Sequence, residues 1–165
     1  MAQKVKPIPK GYRSLTPYIV VNDASRAIDF YQKAFGATEV FRSKPMHGKI
    51  MHAALQFGDS MMMLSDEFPF GACKSPQTLG GTPSSLWIYS DDVDALFNRA
   101  VQAGATVKMP PMDMFWGDRF SQVADPFGHL WSLATHKEEV SPEELERRAE
   151  TEMAKMAQQR TQTAT

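Results

Sequence analysis

The sequence predicts an α+β fold in which one βαβββ unit is used twice and a separate helix closes the chain. Three observations carry this. The apolar run Pro17-Tyr18-Ile19-Val20-Val21-Asn22-Asp23 ends in helix-capping residues, and Ser85-Leu86-Trp87-Ile88-Tyr89-Ser90-Asp91 repeats that pattern 68 positions later. An amphipathic helical pattern follows each run. Gly36-Ala37-Thr38 then recurs as Gly104-Ala105-Thr106, again 68 apart. Strand, helix and tripeptide in one register mark an internal repeat.

The elements follow in order. In the first helix Ala24, Ala27, Ile28, Tyr31, Ala34 and Phe35 share one face, at the i, i+3, i+4, i+7 spacing of a buried stripe. Val93, Leu96, Phe97, Ala100 and Val101 do the same in the second. Asp23, and Asp91 or Asp92, can accept from the first free amides of these helices, while Gly36 and Gly104 suit a left-handed end. Strands are expected over residues 38–43, 49–57 and 60–65, with Gly58-Asp59 as a hairpin turn. The second unit places them over 106–109, 119–124 and 129–135, with Asp125-Pro126-Phe127-Gly128 as the turn.

These units define a body over about residues 1–145: module one at about 12–66, a linker at 67–83 and module two at about 84–136. The linker is rich in Gly, Pro and Ser and holds Cys73 as an incidental exposed thiol. Asp66 and Glu67 are expected on a solvated rim where the fourth strand ends. Residues 141–165 form the C-terminal helix and tail, opened by Ser141 as N-cap, Pro142 at N1 and Glu144 as a capping-box acid. Leu145, Ala149, Met153 and Met156 make a narrow apolar stripe there, and fraying is expected from Gln158 onward.

Composition narrows the function classes. The chain has 165 residues, 42% apolar and 22% charged, as a soluble globular protein does. Eighteen basic and nineteen acidic side chains leave a net charge of -1, which argues against a nucleic-acid partner. No apolar run approaches the roughly 18–20 residues that cross a bilayer, so no membrane partner is expected. The N-terminal stretch lacks the apolar segment of a signal peptide. Cys73 is the only cysteine, which excludes an internal disulfide and a thiolate metal cluster. A cytoplasmic protein is expected.

Asp23-Ala24-Ser25-Arg26-Ala27-Ile28-Asp29-Phe30-Tyr31 after the first strand, and Asp125-Pro126-Phe127-Gly128-His129 before the last, set in paired βαβββ units, resemble the vicinal oxygen chelate superfamily. That group includes glyoxalase I, bleomycin-resistance proteins, fosfomycin-resistance enzymes and extradiol dioxygenases. Thr16-Pro17-Tyr18, Met51-His52-Ala53, Leu64-Ser65-Asp66-Glu67, Phe115-Trp116-Gly117-Asp118-Arg119 and Trp131-Ser132-Leu133-Ala134-Thr135-His136 are similar to its PhnB-like branch. The likeness spans about residues 9–145. It implies a glyoxalase-like fold, with curved mixed sheets around a shared cavity, and commonly a twofold homodimer.

Metal-dependent members take ligands from the first and fourth strands of each module. Those places fall on Thr16, Met63, Ser84 and Ser132, none of them an imidazole or carboxylate that a hard divalent metal prefers. No metal site and no cofactor is expected there; a divalent metal at other ligands stays open as the minor alternative. A one-residue slip would exchange the two faces of a strand.

Without a metal, the cavity can bind a small planar or anionic molecule. Trp116 can stack on it or fill core volume. Arg119 can pair with a ligand carboxylate or with a neighbouring acid. His52 is the acid–base candidate, or a hydrogen-bonded strand histidine. Tyr18, which faces the same way as Thr16, can donate from its hydroxyl or pack. The four strand positions Thr16, Met63, Ser84 and Ser132 complete the expected lining. The functional expectation is a metal-free binding protein; the alternative is an enzyme of the same superfamily, lyase-, isomerase- or dioxygenase-like, working through His52 and Arg119.

Overall fold

The computed structural model describes residues 5–163. Module one runs β1 (Tyr18–Val21), α1 (Ala24–Phe35), β2 (Thr38–Arg42), β3 (Ala53–Phe57) and β4 (Ser60–Asp66). A short α2 (Pro76–Leu79) follows, and module two runs β5 (Ser85–Tyr89), α3 (Val93–Gln102), β6 (Thr106–Asp113), β7 (Asp118–Ala124) and β8 (Leu130–His136), with α4 (Pro142–Thr163) last. Each module is a four-stranded mixed sheet, ordered β1-β4-β3-β2 and β5-β8-β7-β6. The first strand pairs in parallel with the last and the others antiparallel.

One face of each sheet is covered by its own helix, and these covered faces merge into one core. The whole predicted stripe of α1 is buried, with Phe30 added to it. In α3, Val93, Leu96 and Ala100 are buried while Val101 reaches solvent. The modules meet through α1 and α3, and Arg99 Nε of α3 donates to the Ala34 carbonyl of α1 at 2.8 Å. At the centre, Trp131 of β8 touches Tyr31, Phe35 and Phe57 of module one, with ring centroids 5.1, 4.6 and 5.7 Å away. Burial of rings of this size is a principal source of stability in a domain of this length.

The motif turn contributes a second tie. Asp125 is buried and its carboxylate accepts from the backbone amides of Phe127 and His129, from Trp131 Nε1 and from Tyr31 Oη. His129 Nε2 lies 3.0 Å from the Val20 carbonyl, so this ring also joins the turn to module one.

Several expectations shift by a few residues for local reasons. β3 starts at Ala53 rather than 49, because Met46 and Lys49 bridge across a turn in which His47 and Gly48 take positive φ. β6 runs on to Asp113 through Pro110 and Pro111. It is an edge strand with two register irregularities, where prolines are tolerated. Asp66, expected on a solvated rim, is buried: its carboxylate accepts from the Ala24 and Ile50 amides, capping α1 from a different strand. Glu67 instead organises the linker by accepting from the Ser75 amide and the Thr78 hydroxyl. Those hydrogen bonds hold its carboxyl down at about 2. The C-terminal helix continues to Thr163, past the fraying expected from Gln158; residues 164–165 lie outside the described residues. Among the described residues no helix is long and apolar enough to cross a membrane.

The repeat is not in one register throughout. The capping acids are Asp23 and Asp92, 69 positions apart, whereas the Gly-Ala-Thr tripeptides are 68 apart. The difference falls between the two caps and the two tripeptides, in a helix of 12 residues against one of 10. The strands divide between the two: β1 and β4 map onto β5 and β8 at 69 (Tyr18 opposite Met63, Trp87 opposite Ser132), while β2 and β3 map onto β6 and β7 at 68 (Thr38 opposite Gln56, Thr106 opposite Ala124). Because side chains alternate, a one-residue difference exchanges faces.

Candidate functional site

The face of each sheet away from its helix is largely open. In module two it is built from β5, β8 and β7. Trp87 pairs with Ser132, Tyr89 and Phe120 both pair with Ala134, and Asp118 pairs with His136. These residues share one side by alternation. Trp87 and Tyr89 are 47% and 62% exposed, large values for aromatic strand residues.

The rings form a row. Trp87 lies 5.9 Å from Tyr89 and 5.0 Å from Phe120, centroid to centroid, and Trp116 meets Phe120 edge-on at 5.8 Å. Asp118, only 4% exposed, ties the row together. Its Oδ2 accepts from Tyr89 Oη at 3.1 Å and Trp116 Nε1 at 3.2 Å, and its Oδ1 accepts from His136 Nδ1 at 2.8 Å. A carboxylate with three donors fixes three side chains at once.

Backbone geometry explains the motif around it. Gly117 has φ +97°, and its carbonyl accepts from the Lys137 and Glu138 amides. A Cβ there would collide with the Glu138 carbonyl, so only glycine lets the Trp116 turn lie against the end of β8. From the other side, Arg148 of α4 donates to the Phe115 carbonyl and pairs with both carboxylate oxygens of Glu138. The terminal helix thus braces the loop that carries Trp116.

His136 is half exposed, and its Nε2 lies 3.3 Å from Oε1 of the exposed Glu139. The hydrogen bond to Asp118, with a lesser contribution from Glu139, raises its pKa above the ordinary histidine value. Desolvation first, then Asp118, raises that of Tyr89. A cavity of about 640 Å³ opens here, lined by Tyr89, Ser90, Asp91, Thr135, His136 and Lys137. A smaller crevice of about 290 Å³ lies between the modules, with Met61, Ser85, Trp87 and Trp131 among its walls.

The residues singled out in the sequence are distributed between these places. Trp116 is in the aromatic row. Ser132 is buried on the same face, but its hydroxyl partner is Ser85, at 2.8 Å, and not Ser84. Ser84 is exposed in the loop before β5, beside Thr82; this is the one-residue shift of the repeat. Met63 lies on the open face of module one, opposite Tyr18. Thr16 precedes β1 and donates to the Arg13 carbonyl. His52 sits just before β3, its ring stacked at 6.4 Å on Tyr18 and 5.8 Å from Phe41.

Arg119 lies apart from all of these. β7 turns it to the helix-covered side, where Nε and Nη2 hold Asp94 of α3 at 2.6 and 2.8 Å and Nη1 holds Asp113 at 3.1 Å. Its guanidinium is taken by two carboxylates, which raise its pKa further. His52 and Arg119 are therefore not brought together: one faces outward from module one, the other packs against α3 in module two.

By the resemblance, the metal places of chelating relatives correspond to Thr16, Met63, Ser132 and, in the observed register, Ser85 in place of Ser84. Three hydroxyls and a thioether do not fit a hard divalent ion, and Ser85 and Ser132 already bond each other. Among the described residues no group of three or more His, Cys, Asp or Glu is placed to hold a metal.

Asp118, His136, Tyr89, Trp87 and Phe120 were not singled out from the sequence as site residues. A signal was there: counting by twos back from His136 and Ser132, and out from Asp118, puts all the polar members on one face once the hairpin turn is placed.

The comparisons with known proteins agree with this architecture. The model of the Glyoxalase/Bleomycin resistance protein/Dioxygenase superfamily matches residues 14–133. The uncharacterized protein Rv0887c of Mycobacterium tuberculosis is 47% identical over 136 residues, which covers 81% of this chain and 80% of that protein. Among solved structures, TioX from Micromonospora sp. ML1 is similar at 30% identity and a TM-score of 0.61, covering 75% of this chain and 98% of TioX. The protein PA1353 from Pseudomonas aeruginosa follows at 26% identity and 0.59, covering 76% and 99%. With most of the chain matched and both βαβββ modules in place, this chain belongs to the Glyoxalase/Bleomycin resistance protein/Dioxygenase superfamily.

Proposed function

We propose that this protein binds a small planar molecule on the open face of module two, without a metal at the superfamily's usual ligand places. The observation that carries the reading is the row Tyr89, Trp87, Phe120 and Trp116, exposed at one end and fixed by Asp118. Rigid aromatic surface held in place by hydrogen bonds suits a flat ligand, because little side-chain entropy is lost on binding. The hydroxyl and thioether donor set supports the absence of a metal role.

The reading as an enzyme working through His52 and Arg119 draws no support from their separation. Closer membership of the PhnB-like branch is part of the proposal and rests on the motifs around Trp116 and Ser132. We also propose that a second copy of the chain covers part of the open face of module one, where Tyr18 and Phe41 are 46% and 51% exposed.

Two measurements test this. Quenching of tryptophan fluorescence by naphthalene-2-carboxylate should saturate, and Trp87→Ala should weaken binding about tenfold, the upper range for loss of a stacking partner. A native mass spectrum of protein purified without chelator should show twice the chain mass with no bound metal. Absence of saturable binding, or one metal per chain, would overturn the proposal.

A further inference from the structure

Asp118 and His136 form a built unit rather than a surface accident. The carboxylate is almost wholly buried, yet one of its oxygens is devoted to His136 Nδ1 at 2.8 Å. That bond fixes the ring's orientation and leaves Nε2 as the only ring nitrogen that can serve a ligand. The ring opens into the same cavity of about 640 Å³ as Tyr89, which is held by the other oxygen of Asp118. Two features of a recognition site therefore stand on one anchor: an aromatic surface and a nitrogen of fixed direction.

The charged groups around the nitrogen are of both signs. On β8 and the segment after it, Lys137 lines the cavity and Glu139 reaches Nε2 at 3.3 Å. From β7 comes Asp118, and from the β5 side Tyr89 and Asp91. Glu139 is 96% exposed, so its carboxylate can leave at little cost and a ligand carboxylate can take its place. Asp91 opposes an anion, and Lys137 favours one. Protonated His136 adds a charge-assisted donor whose direction is fixed before the ligand arrives.

We propose that His136, positioned by Asp118, is the anion-recognising residue of the site, and that the ligand is a planar molecule bearing a carboxylate or comparable anionic group. This rests on the aromatic reading above and adds the ligand's charge to it. The same dyad predicts pH-dependent affinity: the carboxylate binds well while His136 is protonated and more weakly as pH rises through its raised pKa.

The test compares naphthalene-2-carboxylate with its neutral counterpart naphthalene-2-carboxamide by titration calorimetry across the histidine range. The wild-type chain should prefer the carboxylate by about tenfold at the acid end, an ordinary value for one charge-assisted hydrogen bond. The preference should fade with rising pH. His136→Gln should abolish preference and pH dependence while still binding the carboxamide. Asp118→Asn should lower the His136 pKa, read directly from the ring proton resonance, in a chain whose far-UV circular dichroism and thermal midpoint show it folded. Equal, pH-independent binding of both probes overturns this inference and leaves the aromatic reading standing. Binding of neither probe overturns both. A His136→Gln chain that keeps the full preference assigns the anion site elsewhere and overturns the inference alone.

Discussion

Tyr31 of α1 and Asp125 of the β7–β8 turn, 94 residues apart in sequence, are joined by a hydrogen bond of 2.7 Å inside the protein. The bond runs between modules, and burial together with the adjacent carboxylate drives the phenol's pKa well above its ordinary value. It explains why the first motif ends in tyrosine and the second begins with aspartate: each residue completes the other.

Tyr31→Phe should therefore cost about 1.5–3 kcal/mol, the range for a hydrogen bond to a charged acceptor. Asp125→Ala should cost more, since Trp131 Nε1 and two backbone amides lose their acceptor with it. Urea denaturation followed by far-UV circular dichroism measures both, and a neutral Tyr31→Phe would refute the role given to this bond.

Gly117→Ala should destabilise by at least about 1 kcal/mol from its positive φ alone, with further loss from the collision with Glu138. The near-UV spectrum should change as well, because Trp116 is the next residue. Gly58→Ala, at a positive φ but with open space around it, is the control for the conformational part.

The pH dependence of stability follows from His136. Its folded pKa is raised above the unfolded value, so its stabilising contribution is complete below the unfolded pKa and is lost as pH rises through the folded one. Thermal midpoints of the wild-type chain should decline across that window relative to His136→Gln. A carboxylate acts in the opposite sense. Glu67, held at about 2, contributes its full stabilisation of the linker above its ordinary pKa and loses it as pH falls from there through the folded value, an effect Glu67→Gln should remove.

Arg119→Ala should lower the thermal midpoint slightly and leave binding of the naphthalene probes unchanged, because its partners are Asp94 and Asp113 on the helix-covered side. Loss of probe binding with an unchanged midpoint would return Arg119 to the ligand. Sedimentation velocity should find a dimer, and a monomer at all concentrations would contradict the proposed pairing.

Much of the fold was legible because its physics is local. The stripe of α1, the Asp23 cap and the left-handed Gly36 are each set by a few neighbouring residues, and all are observed. The site was less legible because strand faces depend on a parity. A repeat measured on the Gly-Ala-Thr tripeptides gives Ser84 as the counterpart of Thr16, while the capping aspartates give Ser85. One residue decides which side chain meets Ser132. Arg119 was misleading for a related reason: it follows Asp118 directly, so the two point to opposite faces, and the motif that looked like one cluster serves two surfaces. His136 carried no local sign of its role, since its partner lies 18 residues away across a hairpin.

The central place of Trp131 also has a consequence for biosynthesis. The rings of Tyr31, Phe35 and Phe57 are made early, but the indole against which they pack belongs to the last strand. As the chain emerges from the ribosome, the first module must wait for nearly the whole body before its interior can seal. The two halves thus repeat one pattern in sequence and topology without folding independently. A ribosome stalled in the linker would hold out an unfinished surface, attractive to chaperones, and two fragments cut there should fold only when they are made together.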